Sequence, residues 1–118
     1  MQVITTFREM DSSPALQAAV ERWAARLAQL SDRIVSCHVS VERPHRHHQH
    51  GAAFEIHVVL GVPGAQIAVS HPSSTDPYVA LGDAFRAARR RLLEHTEQQR
   101  GFTRTPLARI PLAASAKA

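Results

Sequence analysis

Residues 75–94 read TDPYVALGDAFRAARRRLLE and combine a helix start signal, an apolar stripe and a cluster of arginines. Thr75 or Asp76 can accept a hydrogen bond from a free backbone N–H of the first turn, and proline suits the first helical position. A helix therefore begins near Pro77, and Gly82 inside it suggests either close packing against a neighbour or a glycine that the helix simply tolerates. Apolar residues at steps of three and four predict one buried face, made of Tyr78, Leu81, Phe85, Ala88 and Leu92.

Four arginines lie off this apolar stripe, namely Arg86, Arg89, Arg90 and Arg91. Acidic residues at helical spacing, such as Asp83 and Glu94, can pair with some of them, which predicts a solvated face of ion pairs. The alternative is that the arginines bind an external anion such as phosphate. Arg89 and Arg91 have fewer acidic neighbours along the helix and are the better candidates for that role.

The composition indicates one domain and favours a partner of negative charge. The chain has 118 residues, with 14 Lys and Arg against 10 Asp and Glu, and all the basic residues except Lys117 are arginine. Arginine is the side chain best suited to bidentate phosphate recognition, although a G+C-rich genome produces the same bias. The few aromatic residues predict a thin core, with one sheet covered by helices.

The single cysteine and the N-terminus indicate a cytoplasmic protein. Cys37 excludes an intrachain disulfide and a multi-cysteine zinc site. The N-terminus lacks the order of a signal peptide, and no apolar run reaches the roughly 20 residues that span a bilayer. We therefore expect a soluble protein without a membrane partner.

The first half of the chain predicts a strand, a helix and a second strand. Residues 2–7 are β-branched and aromatic, and we expect this strand inside the sheet. Ser13 and Pro14 mark a helix whose apolar face includes Trp23. Arg22 and Arg26 border that face, where their aliphatic stems can line the core while the guanidinium groups stay in water. Residues 35–41 then alternate, with Cys37 on the valine side as a small hydrophobic residue.

The second half adds two strands and the helix already described. Residues 54–60 alternate, residues 61–64 form a turn, and residues 65–70 supply the fourth strand. We expect the last helix to end at Gly101, so residues 1–101 form the domain and residues 102–118 a flexible tail. The fold class is α+β, with the order β-α-β-β-β-α and a four-stranded mixed sheet with two helices packed on one face.

The histidines do not form a metal site that the sequence can define. Four of the six residues at 45–50 are histidines, but neighbouring positions on a loop do not impose tetrahedral geometry. No Gly-rich phosphate loop, nucleophile motif or spaced carboxylate pair is present. We therefore expect no catalytic residues, no metal, no cofactor and no small-molecule substrate; a metal protein or enzyme is the weakest alternative.

Four segments of the chain resemble the ribosome hibernation factor family, also called the ribosome-associated translation inhibitor or sigma-54 modulation protein family. They are FREMDSSPALQAAVERWAARL at 7–27, DRIVSCHVSVERPHRHH at 32–48, VPG at 62–64 and DPYVALGDAFRAARRRL at 76–92. The most specific feature is the DPY start at 76–78 with Asp83 five residues after the tyrosine. The resemblance is to the short form of the family and covers about residues 1–101.

The resemblance implies a non-enzymatic protein that binds the small ribosomal subunit and its rRNA. Such proteins occupy the decoding region, where messenger and transfer RNA meet, and inhibit translation in stress or stationary phase. The family's basic positions match Arg22, Arg26, Arg33, Arg46, Arg86, Arg89, Arg90 and Arg91. Because the chain is poor in lysine, an RNA- or protein-binding module with a non-ribosomal partner is the alternative.

Overall fold

The computed structural model describes the backbone of residues 1–43 and 53–109, and the side chains of these ranges except 71–73 and 100–109. Arg46, the histidines of 45–50 and residues 110–118 lie outside the described residues. The elements are β1 (Gln2–Arg8), α1 (Pro14–Leu30), β2 (Ser36–Glu42), β3 (Phe54–Val62), β4 (Ala65–Ser74) and α2 (Pro77–Arg109). This order, with a mixed sheet and two helices, confirms the predicted α+β fold.

The four strands lie in the order β1-β2-β3-β4, with β1 and β2 parallel and the other neighbours antiparallel. The crossover through α1 allows the parallel pairing. The prediction that the first strand lies inside the sheet is wrong, because β1 is an edge strand. The later strands form a meander that extends the sheet only on the far side of β2, so β1 keeps a single neighbour.

Both helices begin at capping residues that the sequence predicts. The Leu16 N–H donates to Ser13 Oγ at 3.2 Å, and the Tyr78 N–H donates to Asp76 Oδ1 at 2.9 Å. Each bond satisfies a backbone donor that has no partner within its helix, and a proline follows each cap at the first helical position.

The second helix continues beyond its predicted end. The sequence predicts an end at Gly101, whereas α2 extends to Arg109. One glycine costs only about 1 kcal/mol in a helix interior and does not stop the helix by itself, and α2 also includes Pro106, which costs about 3 kcal/mol there. Whether residues 102–118 behave as a separate tail stays a prediction.

The core lies between the two helices and one face of the sheet. The Cα partners of β2 and β3 on this face are Cys37 with Leu60, Val39 with Val58 and Val41 with Ile56, and all six side chains are fully buried. From α2, the buried residues of the predicted stripe are Leu81, Phe85, Ala88 and Leu92. Tyr78 was wrongly placed in that stripe: it is 47% exposed, because it lies in the first turn and burial begins only at Ala80.

The turn between β3 and β4 depends on Gly64, which has a positive φ of 77°. Pro63 followed by glycine suits the two central positions of a type II turn. An added Cβ would have no atom within 4 Å, so a substitution changes only the backbone energy. Because the left-handed region costs other residues roughly 1–2 kcal/mol, Gly64→Ala should lower the free energy of unfolding by about 1 kcal/mol. Urea denaturation measures this change, and an unaltered midpoint would contradict the requirement for glycine.

Candidate nucleic-acid interface

Six of the eight arginines predicted to bind RNA lie on the two helices, and Arg33 lies in the connection between α1 and β2. Within the described side chains, all seven candidates are exposed: Arg22, Arg26, Arg33, Arg86, Arg89, Arg90 and Arg91. The eighth candidate, Arg46, is outside the described residues. Because both helices pack on one face of the sheet, most of these charges are presented away from the open sheet face.

Three of the arginines surround a groove between α1 and α2, which we call the α1–α2 groove. They are Arg26, Arg86 and Arg89, and the groove has a volume of about 220 Å³. Its other lining residues are apolar: Trp23, Leu27, Leu30 and Phe85. The groove therefore combines an apolar floor with a positively charged rim.

Trp23 organises this groove through three contacts. Its ring is stacked on Phe85, with centroids 5.9 Å apart and an interplanar angle of 15°. The guanidinium carbons of Arg26 and Arg86 lie 4.9 and 5.4 Å from the centre of the indole. Both distances are within the roughly 6 Å range of cation–π attraction. The indole thus joins the two helices and holds an arginine from each of them beside it.

Gly82 explains how the indole comes so close to α2. A Cβ added at this position would lie 3.2 Å from Cζ2 of Trp23 and 3.4 Å from Nη1 of Arg86. The prediction that this glycine reflects close packing against a neighbour is therefore confirmed. The missing side chain leaves the space that the indole ring and the Arg86 guanidinium occupy.

The arginines of α2 differ in their electrostatic partners. Arg86 donates to Asp83 at 3.0 Å, which confirms the predicted ion pair at helical spacing. The Arg86 side chain is 63% exposed, so this pair contributes little to stability. Among the described side chains, no ion pair engages Arg89, Arg90 or Arg91. These three guanidinium groups are available to an external anion.

Helix geometry places Arg89 and Arg91, the two better candidates for binding an anion, on different sides of α2. Arg89 and Arg91 are two residues apart, which corresponds to about 200° of rotation around an α-helix. Arg89 lines the α1–α2 groove, whereas Arg91 does not. Arg33 lies elsewhere, at a wider groove of about 770 Å³ that also includes Asp32 and His95. Arg26, Arg86 and Arg89 are therefore the candidates that the fold brings together.

Sequence reasoning missed Trp23 as a residue of this site and assigned it to the core. The structure leaves it partly buried at the edge of the core, between the two helices. The available signal was its position: it is the chain's only tryptophan and lies between Arg22 and Arg26 on one helix. An indole bordered by arginines at helical spacing indicates cation–π contacts as well as packing.

The open face of the sheet carries two histidines, His38 and His57. The register pairs His38 with Val59 and Ser40 with His57, so the imidazoles are diagonal neighbours rather than direct partners. Nε2 of His38 lies 3.1 Å from the hydroxyl of Thr6. A shallow pocket of about 300 Å³ on this face is lined by Arg8, His38, Ser40, His57 and Val59.

One group of potential metal ligands lies at the end of this face. Among the described residues, Glu42, Glu55 and His57 can place ligand atoms within 4.8 Å of one another. Glu42 and Glu55 are Cα partners on neighbouring strands, and Arg8 is the partner of Glu42 on the other side. A positively charged residue on the neighbouring strand disfavours a cation at this position by charge repulsion.

The buried thiol of Cys37 is unsuited to chemistry. The residue has no exposed surface, and burial raises the pKa of its thiol from 9.0 to about 11. The thiolate is the reactive form, so we expect the native protein at pH 8 to react with a thiol reagent far more slowly than the unfolded chain. Because the thiol of the unfolded chain ionises at a lower pH than the buried thiol, the free energy of unfolding should fall as the pH rises from 9 to 11. Rapid labelling of the native protein would contradict the burial of this residue.

Comparisons with known proteins agree with the fold. A model of the family described as sigma 54 modulation protein / S30EA ribosomal protein matches residues 3–100. A ribosomal subunit interface protein from Coxiella burnetii is similar in structure, with a TM-score of 0.71, 20% identity and coverage of 82% of this chain and 99% of that chain. The N-terminal domain of Protein Y from Thermus thermophilus has a TM-score of 0.62 and 18% identity, with coverage of 75% and 92%.

No curated protein matches the chain significantly. Within the described residues, no helix is both long and apolar enough to cross a membrane.

The family match covers most of the chain, and both structural neighbours share its fold. The chain therefore belongs to the sigma 54 modulation protein / S30EA ribosomal protein family.

Proposed function

We propose that this protein is a non-enzymatic, cytoplasmic factor that binds the small ribosomal subunit near the decoding region and inhibits translation in stress or stationary phase. Membership of a family of ribosome-associated proteins supports the ribosome as partner, and so does the name of the Coxiella burnetii neighbour, a ribosomal subunit interface protein. The observation that carries the proposal is the set of exposed arginines on α1 and α2, three of which meet at one groove.

The mechanism is steric competition supported by electrostatic attachment. Guanidinium groups form bidentate, charge-assisted hydrogen bonds with phosphate oxygens. Binding to rRNA also releases counterions, which gives affinity that falls steeply with salt. A protein held in this way in the channel for messenger and transfer RNA excludes them by its volume. No covalent bond is made or broken, so the process needs no catalytic residue or cofactor.

Sedimentation through sucrose gradients tests the proposal. The purified full chain is mixed with small subunits and with whole ribosomes from the same organism, and translation is followed in parallel at each salt concentration. We expect the protein to migrate with the small subunit at moderate salt, to dissociate at high salt and to inhibit translation only where it is bound. A folded protein that is absent from every ribosomal fraction would contradict the proposal and favour a non-ribosomal partner.

A further inference from the structure

We propose that the α1–α2 groove binds one unpaired nucleotide of RNA, with its base against the Trp23 indole or the guanidinium planes beside it and its phosphate on Arg89. The inference rests on the proposed function, since it specifies how the helical side recognises RNA. It goes further by assigning a base, in addition to backbone phosphates, to a defined place in the fold.

The aromatic floor is the first observation that supports a base. Unpaired bases in protein–RNA complexes stack on aromatic side chains and on the planes of arginine guanidinium groups. In the groove the guanidinium carbons of Arg26 and Arg86 lie over the Trp23 ring, 4.9 and 5.4 Å from its centre, so a base can stack on these guanidinium planes or take the place of one of them on the indole. The indole and the guanidinium groups together therefore offer a base a stacking surface, which phosphate contacts alone do not use.

The charge distribution supports a nucleotide over an uncharged apolar ligand. Arginines from both helices form the rim, and Asp83 is held by Arg86 at 3.0 Å. Arg89 lines the same groove and makes no ion pair with another described side chain. A nucleotide bound here would satisfy both parts of the site, because its base covers the apolar floor and its phosphate faces Arg89.

The size of the groove favours a single base. Pockets for drug-sized ligands occupy roughly 300–1,000 Å³, whereas this groove measures about 220 Å³. It is therefore small for a whole dinucleotide cofactor and suited to one planar ring system. Leu30 is 39% exposed and lies at the groove, where it offers further apolar surface to the edge of a base.

The fluorescence of Trp23 reports directly on RNA binding at the groove, because Trp23 is the only tryptophan in the chain. The 118-residue chain is titrated with an unstructured single-stranded RNA, with an abasic ribose–phosphate strand of equal length and with a duplex RNA, while indole emission is recorded. Independent binding curves come from the anisotropy of labelled strands. We expect saturable quenching by the single strand and little change at equal occupancy with the abasic strand or the duplex. No quenching at saturation, or equal quenching by the abasic strand, would overturn the inference.

Substitutions separate the base contact from the charge contact. Trp23→Leu should weaken binding of the single strand by roughly 10- to 100-fold and leave binding of the abasic strand nearly unchanged. Trp23→Phe should retain most of the affinity because a ring remains. Arg43→Ala removes an exposed charge outside the groove and serves as the control. Circular dichroism verifies that each variant is folded. If a folded Trp23→Leu protein loses the same affinity for the single strand and for the abasic strand, the base contact is contradicted.

The ribosomal proposal and this inference can fail separately. If the protein migrates with small subunits but single-stranded RNA leaves the Trp23 emission unchanged, the groove is not a nucleotide site and the ribosomal function stands. If single-stranded RNA quenches Trp23 but no ribosomal fraction contains the protein, the groove is a nucleotide site and its RNA partner is not the ribosome.

Discussion

Replacing Arg89 and Arg90 together with alanine should weaken binding to the small ribosomal subunit by about 100-fold. A hydrogen bond to a charged group is worth about 1.5 kcal/mol or more, which corresponds to about tenfold in affinity for each lost contact. The logarithmic dependence of affinity on salt should also become less steep, by roughly 0.7–0.9 for each phosphate contact removed. Quantitative sedimentation or filter binding across a range of salt measures both changes.

A matched control is available outside the two helices. Arg8 lies on the open face of the sheet and the exposed Arg43 follows β2, and their joint replacement with alanine removes the same charge as the Arg89 and Arg90 variant. We expect this control to change affinity by less than a few-fold. Equal losses in the two double variants would show that net charge alone drives binding and would contradict an interface on the helices. Arg91→Ala, tested separately, reports on the other side of α2.

Replacing Phe85 with alanine should remove a large share of the stability. Phe85 is 1% exposed and stacks on Trp23 with ring centroids 5.9 Å apart, so the change leaves a cavity and removes an aromatic contact. Truncation of a buried phenylalanine costs about 3–5 kcal/mol, against total stabilities of about 5–15 kcal/mol for natural domains. We expect the melting temperature to fall by more than about 10 °C.

Val79→Ala is the control for this prediction. Val79 lies on the same helix and is 50% exposed, so its truncation creates no cavity and should change the free energy of unfolding by about 0.5 kcal/mol or less. Calorimetry or urea denaturation compares the two variants. A loss below about 1 kcal/mol for Phe85→Ala would contradict the central place of this ring in the core.

The parts of the fold that could be predicted are those that depend on residues close together in the sequence. The Ser13 and Asp76 caps are short-range features, and the alternation through Val39 and Val58 reports directly which face of a strand is buried. The position of β1 at the sheet edge could not be predicted in this way, because strand order depends on where later strands pair. The continuation of α2 past Gly101 was missed because one glycine is a weak stop signal beside a long helix.

The candidate site was predictable in its charges and not in its shape. Arg26, Arg86 and Arg89 were identified as basic positions from the sequence, but their convergence depends on the packing of α1 against α2. Trp23 was assigned to the core because an apolar stripe does not report how much of each side chain remains exposed. Helical rotation alone separates Arg89 from Arg91, and that part of the site could have been derived before the structure.

The structure of the protein bound to the small ribosomal subunit, determined by electron cryo-microscopy, is the most direct measurement. We expect the domain in the channel for messenger and transfer RNA, with α1 and α2 against rRNA and the guanidinium groups of Arg89 and Arg90 within hydrogen-bonding distance of phosphate oxygens. A complex that places the protein on another surface of the subunit, or that turns the open sheet face toward rRNA, would contradict the proposed interface.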